Sequence, residues 1–227
     1  EAAVATAQSA STSCNLQAWS VVAVQDAARR ARLAKLAGDQ EFITQAPLFL
    51  VWIADLSRLE QVGRAQGREL PGLDCLDTFM ASVMDATLAA QNAAAAFESY
   101  GLGTVYVGAV RNHPEAFATE LGLPPRAVAI SGMSVGYPDR KHPTGIRPRL
   151  PQSTVLHTER YDPAAANDPA TIAAYDQRLH AARVSQGLPA RDWTASVLAR
   201  MGDVAALHGR EHLPRSLRSL GFVLGQE

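Results

Sequence analysis

The apolar positions of this chain change period along its length. Residues 1–10 read as the end of a helix. Residues 19–25 (WSVVAVQ) are short and β-branched and predict a strand. Asp26 then precedes AARRARLAKLA and Gly38 follows it, the N-cap and terminator of a helix. Residues 47–54 (PLFLVWIA) are apolar without alternation, the pattern of a strand buried on both faces. A polar helix comes next, and 63–72 reads as a mobile stretch. Residues 74–100 repeat apolar positions at helical spacing, among them Leu76, Met80, Val83, Thr87 and Ala90, and predict the longest helix. Gly101-Leu102-Gly103 ends it. Strands are expected over 104–110 and 127–136, with a short helix over 113–121 entered at Pro114. Residues 139–151 form a Pro- and Gly-rich loop holding Arg140, Lys141, Arg147 and Arg149. Helices follow over 168–185 and 192–207, then a short final segment. The sum is a sheet with helices on both faces. No internal repeat and no independent second domain is apparent.

Composition changes this picture in three ways. The chain has 227 residues, 47% of them hydrophobic, and a net charge of -1. That excludes a disordered chain and argues against a nucleic-acid binder. It holds 41 alanines, so helices that pack closely are expected. No apolar run reaches the roughly 18 residues that span a bilayer, and the start has no signal-peptide pattern. Cys14 and Cys75 make no spaced framework, which fits a reducing compartment. Lys35 and Lys141 are the only lysines, so arginine is the default cation here.

Several motifs carry candidate chemistry. Gly101-Leu-Gly-Thr-Val-Tyr106 starts like a dinucleotide fingerprint, but Tyr106 stands where the third glycine belongs and the glycines precede a strand. Helix termination explains them better. His208-Gly-Arg-Glu211-His212 fits the inverted zinc-peptidase pattern. Gly209 inside it and Pro214 after it leave little helix to hold ligands, so a solvated terminal helix is expected. Cys14 lies in a polar loop without a His near in sequence, and an ordinary small residue is the plainer reading than a nucleophile. Two features remain. Residues 11–17 (STSCNLQ) can donate and accept several hydrogen bonds at once, as a polar heterocycle requires. Arg147-Pro-Arg149 presents two guanidinium groups suited to a phosphate, although alternate residues of an extended segment face opposite ways.

An ordered set of segments then carries a family resemblance. It comprises Ser13-Cys-Asn-Leu-Gln17, Gly38-Asp-Gln40, the run from Ala46 with Ala54-Asp55, and Asp85 with Ala90-Gln91-Asn92-Ala93. It continues through Glu98-Ser-Tyr-Gly-Leu-Gly103, Val105-Tyr-Val-Gly-Ala-Val-Arg-Asn112 and Leu121-Gly-Leu-Pro124. Gly132 with Val135-Gly-Tyr-Pro138 and Arg147-Pro-Arg-Leu-Pro151 complete it. The chain resembles the FMN-dependent nitroreductases, in the branch of oxygen-insensitive nitroreductase A and related flavin reductases.

The resemblance implies an α+β fold with a mixed, mainly antiparallel sheet flanked by helices. It implies one domain over 1–227, with 162–227 as a helical C-terminal arm, and an intertwined cytoplasmic homodimer holding FMN between subunits. The alanine-rich helix would lie in the dimer core, where small side chains let helices approach. Thr12, Ser13, Asn15 and Gln17 match the loop at the flavin, and Gln40 matches a residue at the isoalloxazine edge. Tyr106, Val107, Gly108 and Ala109 match the segment whose backbone N–H approaches flavin N5. The family often has Gly-Gly where Gly108-Ala109 stands, and alanine serves equally unless φ must be positive. Arg147 and Arg149 match a pair near the phosphate, and Arg183 and Arg191 a basic loop that favours NADPH. Family members carry a helix and a basic segment ahead of the region that starts here, so weakened phosphate anchoring or a shortened sequence is expected.

The activity so implied is ping-pong, two-electron reduction of nitroaromatics, quinones or flavins by NAD(P)H. The alternatives are flavin reduction as the main activity, or a flavin-binding protein without turnover. No metal, nucleic acid or membrane is implied.

Overall fold

The computed structural model describes residues 1–139 and 145–225; Arg140 and Lys141 of the basic loop lie outside them. Two compact units divide the chain: Glu1–Asp139 with Gly209–Glu227, and Arg140–His208.

The first unit is built on a four-stranded sheet. Its elements in chain order are α1 (Ala2–Gln8), β1 (Trp19–Val24), α2 (Ala27–Leu36), α3 (Glu41–Gln45), β2 (Leu48–Asp55) and α4 (Ser57–Ala65). Then follow α5 (Leu76–Ser99), β3 (Gly103–Val107), α6 (Pro114–Leu121) and β4 (Ala127–Gly136). The strand order is β1-β2-β4-β3, and every pairing is antiparallel. The mainly antiparallel sheet flanked by helices is as expected, and among the described residues no parallel pair occurs. The second unit holds the helices α7 (Gln152–Val155), α8 (Pro163–Ala166), α9 (Pro169–Ser185) and α10 (Trp193–Met201). The chain then returns to the first unit in α11 (Leu213–Ser219).

Strand β2 explains the architecture. Leu50, Trp52 and Ala54 face a core shared with α1, α5 and α11; Phe49, Val51 and Ile53 face one shared with α2 and α6. Both faces are dry, so its residues need no polar alternation. Strand β4 reaches the same result with a bulge. Trp52 pairs Ser131 but Ile53 pairs Ala129, so Ile130 is the extra residue. The slip changes which parity points at α5: Val128 and Ile130 before it, Met133 and Val135 after it. Gly132 just beyond has no room for a side chain, since a Cβ there would lie 2.4 Å from Phe49 Cζ.

Helix α5 packs its alanines within the chain. Ala86, Ala89, Ala90, Ala93 and Ala94 are buried inside the chain, in the core that contains Ala7 and the sheet. The small side chains are thus already used for packing within one subunit. What α5 presents outward is a stripe at every fourth residue: Leu76, Met80, Met84 and Leu88, each 47–54% exposed.

Three other boundaries moved for local reasons. Strand β3 stops at Val107, and Gly108–Arg111 turns into a 3-10 helix. The helix expected over 192–207 ends at Met201, ahead of Gly202, and a separate 3-10 turn covers Val204–Leu207. The stretch 63–72 begins inside α4, which runs to Ala65, and ends in a 3-10 turn over Pro71–Asp74. No helix among the described residues is long and apolar enough to cross a membrane.

Candidate active site

The loop at residues 12–17 is held in an unusual shape. Cys14, Asn15 and Gln17 have φ of 48°, 57° and 53°. Left-handed backbone costs a residue with a Cβ roughly 1–2 kcal/mol, less for Asn. Something must offset three such residues in four. The carboxylate of Asp85 on α5, 2% exposed, does so. It accepts from Thr12 Oγ1 (2.5 Å), Ser13 N (3.0 Å) and Ala18 N (3.1 Å). Thr12 Oγ1 in turn accepts from Gln17 N at 2.9 Å. Arg58 on α4 donates to Gln17 O (2.9 Å) and to Ser20 Oγ (2.9 Å). So Thr12 is spent on the loop itself, while Ser13, Asn15 and Gln17 are exposed, with Gln17 Nε2 donating to Asn15 O (3.3 Å) and Asn15 Oδ1 (3.4 Å).

A second group forms at the far edge of the sheet. Gly108 and Ala109 open the 3-10 turn after β3, and the first N–H groups of such a turn have no acceptor inside it. Ala109 is not among the residues with positive φ, so alanine fits where the family often has glycine. A Cβ on Gly108 would lie 3.3 Å from Arg111 Nη2, so glycine lets that guanidinium pack close against the backbone. Gly38 lies near Asn112, 3.8 Å from its ideal Cβ to Asn112 Nδ2, which brings the Gly38–Gln40 stretch beside this turn. Gln40 is half-buried and donates to Gly38 O at 3.2 Å. Tyr106 is exposed, with its hydroxyl 3.5 Å from Gln91 Oε1. Partial burial of the ring, and then the charge of Glu98, holds its phenol above the ordinary value. Val107 is buried in the core, which leaves only its backbone for a ligand.

The two groups do not meet within one chain. Trp19, next to the loop, pairs Ala54, which pairs Val128; Val107 pairs Gly132. They are separated by three strand spacings, roughly 14 Å, and by an offset of four residues along β4, roughly 13 Å. A cavity of about 570 Å³ lies between α5 and the sheet. Tyr106, Gly108 and Arg111 line it, but none of residues 12–17 does.

The remaining candidates lie in the second unit. Arg147 and Arg149 are exposed on a segment pinned from α9. Tyr175 Oη donates to Pro148 O at 3.0 Å and Arg178 Nη2 to Arg149 O at 2.7 Å. Arg149 Nη1 donates to Arg147 O at 2.8 Å. Arg183 Nε donates to Pro189 O at 2.8 Å, closing the loop after α9, and Arg191 is exposed.

The histidine motif loses its geometry. His208 is left-handed with φ 56°, Gly209 follows at 91°, and Arg210–His212 is a single 3-10 turn. His208 and His212 therefore do not stand one turn apart on a helix, which the zinc reading requires. Cys14 is exposed and left-handed, as a loop residue. Sequence reasoning gave Asp85 no role. The available signal was that Asp85 is the only charged residue between Asp77 and Glu98 of a long apolar helix.

The donor set suits a flavin mononucleotide. Exposed amides and hydroxyls fit a polar ring and a polyol chain, backbone N–H groups at the start of a 3-10 turn fit a ring nitrogen, and the exposed arginines of the second unit have the chemistry for a phosphate.

Comparison with known proteins agrees. The nitroreductase family matches residues 1–137, and the nitroreductase family C-terminal domain matches residues 147–225. The chain is 36% identical to an FMN reductase (NADPH) of Bacillus subtilis, over 78% of this chain and 70% of that one. It is 36% identical to an oxygen-insensitive NADPH nitroreductase of Salmonella typhimurium, over 79% of this chain and 70% of that one. The solved structure of the NfrA1 nitroreductase from B. subtilis superposes with a TM-score of 0.89 at 32% identity, covering 98% of this chain and 89% of that one. Fold, site chemistry and sequence agree, and the chain belongs to the nitroreductase family.

Proposed function

We propose that this chain is an FMN-dependent NAD(P)H oxidoreductase that works as a cytoplasmic homodimer, with each flavin site built from two copies. One observation carries the composite site. The loop at Thr12–Gln17 and the turn at Gly108–Ala109 both suit a flavin ring, yet they sit at opposite edges of one sheet. A twofold-related copy brings the loop of one chain to the turn of the other. The stripe Leu76, Met80, Met84 and Leu88 supplies an apolar surface for that association.

Each residue then has a task. Ser13, Asn15 and Gln17 hold the ring and polyol from one copy. Gln40 and the N–H groups of Gly108 and Ala109 hold the ring edge from the other. Arg147 and Arg149 neutralise the phosphate. Arg183 and Arg191 favour NADPH through its 2′-phosphate. Bound FMN supplies two-electron chemistry, passing reducing equivalents from NAD(P)H to a nitroaromatic, quinone or flavin acceptor. Donor and acceptor use one space in turn, so double-reciprocal plots should be parallel. No side chain is needed as acid or base; the donors lower the energy of negative charge on the reduced ring.

The test is anaerobic titration of the FMN-loaded protein with NADPH. Loss of the visible flavin absorbance at about one equivalent supports the proposal. A protein that takes up no FMN, or holds it without bleaching, refutes it.

A further inference from the structure

We propose that Asp85 is a positioning residue for the flavin loop, and that it links the loop's shape to the helix presented for self-association. This deepens the reading above and rests on it. The carboxylate is buried, and it accepts from Thr12 Oγ1 and Ser13 N at the start of the loop and from Ala18 N just past its end. These contacts grip the loop at both ends. Between the grips lie the three left-handed residues, Cys14, Asn15 and Gln17. Such a backbone persists only where its surroundings over-determine it, and it clusters at ligand sites. Without the clamp the loop relaxes, and the exposed Ser13, Asn15 and Gln17 lose the fixed arrangement that the left-handed backbone gives them.

The position of Asp85 on α5 adds the second half. Met84, the residue before it, belongs to the exposed apolar stripe, while Asp85 points into the chain. One rigid helix of 24 residues therefore carries both the association surface and the loop clamp. Shifts of α5 on association reach the loop through three hydrogen bonds to one charged group.

The clamp needs a carboxylate. An amide at position 85 can still accept at its oxygen, but its NH2 then faces an N–H donor. Leaving a buried donor unpaired costs more than the bond is worth.

The experiment compares wild type with Asp85→Asn as full chains. It reads amide hydrogen exchange at Ser13 and Ala18 without FMN, the Kd for FMN, and the melting temperature. The expected result is exchange at both amides faster by about tenfold or more, and a Kd for FMN raised by about tenfold or more. Exchange in β2 stays unchanged. A folded variant with a melting temperature lowered but a Kd within about twofold of wild type overturns the proposal, because a merely structural role predicts that pattern. If Asp85→Asn does not fold, Thr12→Val removes one of the three contacts from the loop side, and the same criteria decide. Wild-type protein that takes up no FMN refutes the flavin reading instead, and the exchange comparison still decides the clamp.

Discussion

Replacing Met84 with Glu should dissociate the dimer and weaken FMN binding together. Met84 is 54% exposed in the single chain, on the outward stripe of α5 with Leu76, Met80 and Leu88. Covering the exposed half of such a side chain is worth about 1 kcal/mol. Four per copy give roughly 8 kcal/mol across a twofold interface, the scale of a micromolar complex before the cost of association is met. Glu at position 84 removes about 1 kcal/mol from each copy and sets a charge in an apolar seam. Symmetry doubles both effects. The total is at least about 4 kcal/mol, roughly a thousandfold in Kd. The fold itself should survive, because glutamate is a good helix former and the site faces outward. Sedimentation equilibrium measures the association, and fluorescence titration of FMN measures the site. A variant that associates like wild type refutes the interface. One that dissociates yet binds FMN with unchanged affinity refutes the composite site.

Other outcomes follow from single contacts. Gly132→Ala places a Cβ 2.4 Å from Phe49 Cζ and 3.1 Å from Val110 Cγ1, inside the core. It should cost about 1–3 kcal/mol, read as a lower melting temperature. Asp168 and Asp176 are both held below the ordinary carboxylate value, first by the hydroxyls of Thr171 and Thr194. Their stabilisation is complete above the unfolded value near 3.8 and is lost as pH falls through the lower folded value. Acid unfolding followed by circular dichroism should therefore begin at higher pH in the Asp168→Asn, Asp176→Asn double variant. Arg191→Ala should raise KM for NADPH by about tenfold and leave NADH within about twofold, in steady-state assays with either donor.

Sequence carried the parts of the fold that depend on local period. The unbroken run around Phe49 to Ile53 marked a strand dry on both faces, and the spacing of Leu76, Met80 and Val83 marked α5. The bulge at Ile130 was not legible, because it is a compromise between β4's own pattern and the register of β2. Neither was the break at Gly202, where the apolar spacing continues but the helix does not. The alanines of α5 were legible as close packing but not as to which partner they pack against. That depends on α1 and the sheet, which are distant in sequence. At the site, the ordered segments named the residues of both groups. Their separation appeared only with the strand order, since nothing local to Ser13 or Gly108 records that β1 and β3 are opposite edges. The Asp85 clamp joins residues 73 positions apart and follows the same logic.

The composite site can be tested by mixing. One variant carries Ser13→Ala with Asn15→Ala and loses the loop; the other carries Gly108→Val and loses the turn. Each alone should be nearly inactive in NADPH-dependent nitro reduction. After dissociation and reassociation of an equal mixture, half of the dimers pair one variant with the other. Each such dimer holds one intact site, so activity should recover to about a quarter of wild type. A mixture no more active than its parts would contradict a site shared between two copies.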